Sequence, residues 1–176
     1  MKWDRKPHTR GGLPRSTGRQ HLALTTSRVI RPIEALWHRA CSRNSLMIKP
    51  PDTSVLVVDD DPSCCQSMVE PLQRAGYHVE STTDALAAYR QAVSGHYSLV
   101  VTDLRMPNMC GTQLLEDIRQ VHPTMPALLV SAFPDRQALA CARQLGVRVL
   151  PKPFSSAVFL AAVTALLSSA DEAAEP

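Results

Sequence analysis

The sequence predicts an α/β fold in which a parallel five-stranded sheet is covered by helices on both faces, and three observations predict it. Short runs dominated by Val, Leu and Ala recur, among them Val55-Leu56-Val57-Val58, Leu99-Val100-Val101 and Ala127-Leu128-Leu129-Val130. Unbroken apolar runs of that length fit strands buried on both faces better than the alternation of a half-exposed strand. Between the runs lie stretches of helical length that stop at Gly76, Gly95, Pro123 and Gly146, residue types that end helices. Strand and helix therefore alternate, and that order builds a parallel sheet with crossover helices.

The elements follow in order. Strand 1 is Ser54–Val58. Helix 1 begins near Pro62, a residue pre-set for a first turn, and ends before Gly76. Pro71 inside it removes a backbone donor and is expected to kink the last turn. Strand 2 is about Tyr77–Ser81, and helix 2 runs from about Thr83 to Val93. Strand 3 is Ser98–Thr102, and helix 3 runs from about Gly111 to Val121. Strand 4 is Ala127–Ser131, and helix 4 runs from about Asp135 to Leu145. Strand 5 is Val147–Leu150, and helix 5 runs from about Ser155 to Ser168. Residues 169–176 form a small acidic tail expected to fray.

The chain has 176 residues, room for one ordinary domain plus extensions. Its 44% hydrophobic and 20% charged residues permit a normal core. The net charge of +3 conceals a split. Residues 1–49 hold eleven Lys and Arg against Asp4 and Glu34, a net +9; the remainder holds eight against fourteen acids, a net −6. The folded part is thus acidic and a poor nucleic-acid binder by itself. The five cysteines, Cys41, Cys64, Cys65, Cys110 and Cys141, are odd in number and lack C-x-x-C spacing. That suggests neither a disulfide framework nor a zinc site, and it fits a reducing cytoplasm. No apolar run reaches the roughly 20 residues that span a bilayer, and no signal peptide opens the chain.

Residues 1–53 carry Pro7, Gly11, Gly12, Pro14, Gly18, Pro32, Pro50 and Pro51 among scattered arginines and read as a basic, mostly disordered extension. Within them Val29, Ile33, Leu36, Trp37 and Ala40 recur at helical spacing with arginines interleaved, the pattern of a short basic amphipathic helix. Met47 would be a natural start for the domain, so residues 1–46 are expected to be a leader without function, in preference to a functional basic arm.

Four apolar runs deliver polar groups at their C-terminal ends: Asp59-Asp60-Asp61, Asp103, Ser131 and Lys152. In open parallel sheets that edge is where ligands bind. Carboxylates, a hydroxyl and an ammonium gathered there suit a divalent cation and a phosphoryl group. Each residue alone has an ordinary reading. An Asp after an apolar run is often a helix N-cap, the role assigned here to Asp61; a Ser there is often a loop hydroxyl, and a Lys before Pro is ordinarily solvated. Their joint placement at one edge favours chemistry.

Here the chain resembles the receiver domain of bacterial two-component response regulators over about residues 54–168. The resemblance rests on Val57-Val58-Asp59-Asp60-Asp61-Pro62, Thr102-Asp103-Leu104-Arg105-Met106-Pro107-Asn108-Met109, Ser131-Ala132 and Lys152-Pro153-Phe154, in that order. It implies a flavodoxin-like (βα)5 three-layer sandwich with sheet order 2-1-3-4-5, which puts the ends of strands 1 and 3 side by side. It implies Asp103 as phosphoacceptor, with Ser131 and Lys152 contacting the phosphoryl group. It implies Mg2+ held by Asp60 and Asp103 directly, by Asp59 mainly through water, and by the Arg105 backbone carbonyl. The Lys152–Pro153 bond resembles one that is cis in the family, and Arg105 and Phe133 stand where side chains overhang the acceptor. Two departures matter. Val149 occupies a position often aromatic in the family, so a rotating aromatic switch is not expected. Cys110 replaces a frequent Asp before Gly111 and reads as a small residue at a helix start.

The expected function is that of a single-domain, chemotaxis-regulator-like response regulator in a phosphorelay. A histidine kinase or histidine phosphotransfer protein would donate to Asp103. No DNA-binding domain is expected to follow helix 5, so output would pass by protein contact. Helix 5 is apolar nearly all round and has no charged side chain between Phe154 and Ala170; its outer side, with helix 4 and strand 5, is the expected surface for a target or a homodimer. The domain is not expected to be an enzyme beyond Mg-dependent self-phosphorylation and dephosphorylation. Three rivals remain: a haloacid-dehalogenase-like phosphohydrolase using Asp59-Asp60-Asp61, against which Asp103 counts, a receiver-like scaffold that is never phosphorylated, and a DNA-associated adaptor using the basic arm.

Overall fold

A computed structural model describes residues 53–174, with side chains to Ala170. The expected extension, with its basic helical patch, lies outside the described residues. Strands β1 (Ser54–Val58), β2 (His78–Thr82), β3 (Leu99–Asp103), β4 (Ala127–Ser131) and β5 (Arg148–Pro151) alternate with helices α1 (Pro62–Arg74), α2 (Ala85–Ser94), α3 (Gly111–Val121), α4 (Arg136–Gln144) and α5 (Ser156–Ala174). The strands form one parallel sheet in the order β2-β1-β3-β4-β5. This is the flavodoxin-like (βα)5 sandwich that the sequence implies.

Alternation along each strand divides the core in two. Val55, Val57, Leu99, Val101, Leu128, Val130 and Leu150 point to one face, where they meet Cys65, Met68, Val69 and Leu72 of α1 and Phe159, Ala162, Val163, Leu166 and Leu167 of α5. Leu56, Val58, Val100, Ala127 and Leu129 point to the other, against Ala88 and Ala92 of α2, Leu114, Leu115 and Ile118 of α3, and Ala138 and Ala142 of α4. Every residue of β3 and β4 is buried, which is why those strands read as unbroken apolar runs. Burying a side chain such as Leu128 contributes roughly 1.5–3 kcal/mol, so the two layers hold the sheet edge still.

Local signals place the helix ends. Asp61 caps α1, its Oδ1 accepting from Ser63 N–H at 2.8 Å; Asp84 caps α2 through Ala87 N–H at 2.6 Å, and Asp135 caps α4 through Ala138 N–H at 2.8 Å. The first bond also pulls the Asp61 carboxyl below its usual range. Gly76 (φ 88°) and Gly146 (φ 62°) take the left-handed conformation that ends α1 and α4. Pro71 is buried, and α1 continues past it to Arg74.

Several element boundaries differ from the sequence expectation. Strands β2 and β5 each begin one residue later, at His78 and Arg148, because register with β1 and β4 sets the pairing. Strand β3 includes Asp103, which pairs with Val130. Helix α5 runs to Ala174 rather than Ser168; Ala170, Glu172, Ala173 and Ala174 are strong helix formers, and no Gly or Pro lies between Ser168 and Pro176.

Candidate functional site

The polar groups singled out in the sequence converge at the C-terminal edge of the sheet. Val58 of β1 pairs with Thr102 of β3, so Asp59 and Asp103, each one position further on, end adjacent strands. Asp59 is 1% exposed and Asp103 8%. Between them stands Lys152, whose Nζ donates to Asp59 Oδ2 and to Asp103 Oδ1, both at 2.6 Å. The lysine is set by its backbone: its N–H donates to the Ser131 carbonyl at 2.8 Å, and the Lys152–Pro153 peptide is cis, as implied.

The second carboxylate oxygens are held by backbone. Arg105 N–H donates to Asp103 Oδ2 at 2.6 Å, and Asp61 N–H to Asp59 Oδ1 at 3.0 Å. Asp103 thus sits in a loop that turns back on its own side chain. That loop is fixed from below. Leu104 N–H donates to the Val130 carbonyl at 3.0 Å, and Gly111 N–H to the Leu104 carbonyl at 2.9 Å. Met106 is buried in the second core layer, and Asn108 takes a left-handed φ of 67°, which Asn tolerates better than most residues. The Met106-Pro107-Asn108 sequence therefore shapes the turn that follows Asp103.

Burial and charge act against each other here. Burial pushes the Asp59 carboxyl up, and the hydrogen bonds from Lys152 and from Asp61 N–H only partly offset it. Burial alone would lower the Lys152 ammonium; the bonds to Asp103 and Asp59 outweigh that and raise it. The two partners of one ion pair thus both shift upward. We take the lysine as charged, because two carboxylate oxygens at hydrogen-bond distance favour the cation more than partial burial disfavours it.

Ser131 is buried, and its Oγ accepts from Phe133 N–H at 3.2 Å, which leaves the hydroxyl hydrogen to donate elsewhere. Asp60 is exposed at the rim. Among the described residues no three His, Cys, Asp or Glu side chains form a ready metal cluster; the space between Asp59 and Asp103 is taken by the lysine. The donors present are hard oxygens, carboxylates and a backbone carbonyl, and these fit a small dication that keeps most of its waters.

Val149 is half-buried and packs with the second core layer. Phe133 is 70% exposed. Arg105 leans toward α4, its Nη2 3.8 Å from Asp135 Oδ2. That contact joins two loops far apart in sequence, and nothing in the sequence signalled it. Among the described residues no helix is long and apolar enough to cross a membrane.

Known proteins resemble this chain over the same span. Residues 55–164 match the family described as response regulator receiver domain. The transcriptional regulatory protein BasR of Escherichia coli is 35% identical over 114 residues, covering 64% of this chain and 51% of BasR. The regulator NtrC of Rhizobium meliloti is 36% identical over 102 residues, covering 57% of this chain and 21% of NtrC. The chain therefore spans about half the length or less of these relatives. Among solved structures, the signal receiver domain of an HD domain-containing protein from Pseudomonas fluorescens is 27% identical with a TM-score of 0.65, covering 69% of this chain and 98% of that one. The non-phosphorylated HemR receiver domain of Leptospira biflexa is 29% identical with a TM-score of 0.62, covering 66% and 95%.

Proposed function

This chain belongs to the response regulator receiver domain family, and from that premise we propose that Asp103 accepts a phosphoryl group from the phosphohistidine of a histidine kinase or a histidine phosphotransfer protein. The observation that supports this most is the Lys152 ammonium held at 2.6 Å from both Asp103 and the buried Asp59. A half-buried lysine between two carboxylates is poised to follow a phosphoryl oxygen once one forms on Asp103. The reaction is an in-line displacement: an Asp103 oxygen forms the new P–O bond while the donor's P–N bond breaks and histidine leaves. The protein's part is positioning and charge neutralisation. Arg105 N–H holds one Asp103 oxygen and fixes the carboxylate plane. Ser131 donates its hydroxyl hydrogen to a phosphoryl oxygen, and Lys152 neutralises another. Asp59, Asp60, Asp103 and the Arg105 carbonyl would hold Mg2+, which supplies further positive charge to the phosphoryl oxygens. The family match leaves no place for the phosphohydrolase reading. It leaves the unphosphorylated scaffold to experiment.

The domain boundaries that go with this reading are 54–168 for the receiver and 1–53 for the basic extension, in a cytoplasmic protein. The test is direct. Acetyl phosphate and Mg2+ should add one phosphoryl group by intact mass; Asp103→Asn should remove the label, and Asp60→Asn should weaken Mg2+ dependence. Equal labelling of the Asp103→Asn protein would overturn the assignment.

The output surface of this reading is the α4–β5–α5 face, taking a target or a second copy. Helix α5 buries Phe159, Ala162, Val163, Leu166 and Leu167 and turns Ala157, Ala161 and Ala165 outward or half-outward. Its outer side carries no large exposed apolar side chain, unlike Leu86, Val121 and Phe133 elsewhere, so the surface is flat and small-residue rather than greasy. Ala161→Glu and Ala165→Glu should leave labelling of Asp103 intact and weaken dimerisation or target capture. Normal partner binding by both variants, with a monomer in sedimentation with and without beryllofluoride, would remove this face from consideration.

A further inference from the structure

Two cysteines with no part in the phosphoryl chemistry lie on the groove between α3 and α4. This open groove, about 480 Å3, is lined by Cys110, Thr112, Glu116 and Cys141 among others. Cys110 is exposed at the N-cap of α3 and makes no side-chain capping bond; its Sγ lies 3.2 Å from Thr112 Oγ1. Cys141 reaches across from α4, its Sγ donating to Glu116 Oε1 at 3.1 Å. Thr112 and Glu116 are four residues apart on α3, so their Cβ atoms are neighbours about 5–6 Å apart. The two sulfurs thus contact residues one turn apart on α3, and Thr112 bonds to both thiols. The Glu116 carboxylate keeps the proton on Cys141, and both Thr112 and Cys110 act on that thiol.

We propose that Cys110 and Cys141 form a reversible disulfide in response to hydrogen peroxide, and that this bond restrains the loops around Asp103. Cys110 meets the oxidant first because it is the exposed thiol. Its sulfur attacks one peroxide oxygen, the O–O bond breaks, and a sulfenic acid forms while the other oxygen leaves as water with the thiol proton. The Cys141 sulfur then attacks the sulfenic sulfur. The S–O bond breaks, and the second oxygen leaves as water with the Cys141 proton, which Glu116 is placed to carry. Two thiols are oxidised and one peroxide is reduced to two waters; a dithiol reductant reverses the bond by exchange. Closure requires both side chains to leave their oxygen partners and bring their Cβ atoms to about 3.5–4.5 Å.

The consequence for the site follows from where the two residues attach. Cys110 ends the β3–α3 loop, whose Arg105 holds Asp103 by its backbone. Cys141 lies on α4, which the Ser131–Asp135 segment enters. These segments already touch through the exposed Arg105–Asp135 pair, which is weak by nature. A disulfide would replace that contact with a covalent tie. This second half of the proposal deepens the acceptor reading and rests on it.

The reduced full chain, treated with hydrogen peroxide, alkylated and peptide-mapped, should yield a Cys110–Cys141 cross-linked peptide. The peptide should persist in Cys64→Ser and vanish in Cys110→Ser and Cys141→Ser. Labelling of Asp103 by acetyl phosphate should slow severalfold in the cross-linked protein and recover with dithiothreitol, whereas Cys141→Ser should be insensitive to peroxide. Oxidation of Cys110 only to sulfinic or sulfonic acid, or its linkage to Cys41 or to a second chain, would overturn the disulfide. A cross-link with unchanged labelling would overturn the restraint. Absence of labelling in the reduced protein would defeat the acceptor reading instead, while the peptide map decides the disulfide independently.

Discussion

Lys152 is the residue on which the site's geometry turns. It brings one positive charge to two carboxylates, and one of these, Asp59, is almost fully buried. Removing it leaves Asp59 beside Asp103 with no cation, so the pair must protonate or the edge must open. In buffer containing a chelator, Lys152→Ala should lower the unfolding free energy by about 1–3 kcal/mol, the cost of leaving buried polar groups unsatisfied. Urea denaturation checks this, and an unchanged midpoint would mean that water replaces the ammonium freely. Acetyl phosphate labelling of Asp103 should slow in the same variant. At this scale the sequence was informative because each polar group follows its own apolar run: Asp59, Asp103, Ser131 and Lys152 needed only the strand pattern and the sheet order to be brought together. The Arg105–Asp135 and Cys141–Glu116 contacts were illegible. They join side chains from separate loops and helices, and no periodicity relates them.

Gly111 shows how an element can position a single side chain. It opens α3, and a Cβ there would overlap the Asp103 carbonyl oxygen and press on Leu129 Cδ1 at 2.9 Å. The absence of a side chain lets α3 come down onto the end of β3, and the Gly111 N–H then ties the turn through the Leu104 carbonyl. In Gly111→Ala the helix start or the strand end must shift, and backbone yields less readily than a flexible side chain. The expected loss is about 1–3 kcal/mol, as for other overpacked sites, accompanied by slower labelling of Asp103. Thermal unfolding alongside acetyl phosphate kinetics would measure both, and a fully active, equally stable alanine variant would show that this approach is looser than drawn. Helix stops were legible where glycine supplies a positive φ, as at Gly76 and Gly146. The starts of β2 and β5 were not, since their register is set by neighbouring strands rather than by their own residues. Helix α5 outran its expected end because a run of good helix formers has no local stop.

Across the whole chain the charge is uneven, a net +9 through residue 49 against −6 beyond it, so the overall charge describes neither part. The doubly covered sheet was legible as a class because continuous apolar runs, rather than alternating ones, demand cover on both faces. What the pattern does not convey is how the exposed edge is tied down. Edge strand β2 is largely exposed, and it is held to the α2–β3 loop by Tyr97, whose hydroxyl donates to Glu80 at 2.8 Å. Burial, the bond to Glu80 and that carboxylate's charge together push the Tyr97 phenol from its ordinary 10.0 up to about 12. The folded form therefore holds its proton more tightly than the unfolded chain does. Stability from this group is fully present below the ordinary phenol value and is lost as pH rises through about 12. Between those limits the protein should lose stability faster than Tyr97→Phe, which has no phenol to ionise. Tyr97→Phe should also remove a late component, ionising near pH 12, from the phenolate absorbance titration. If the titration curves of the two proteins differ only by an ordinary phenol, the Tyr97–Glu80 contact does not persist in solution and edge β2 is held by its pairing with β1 alone.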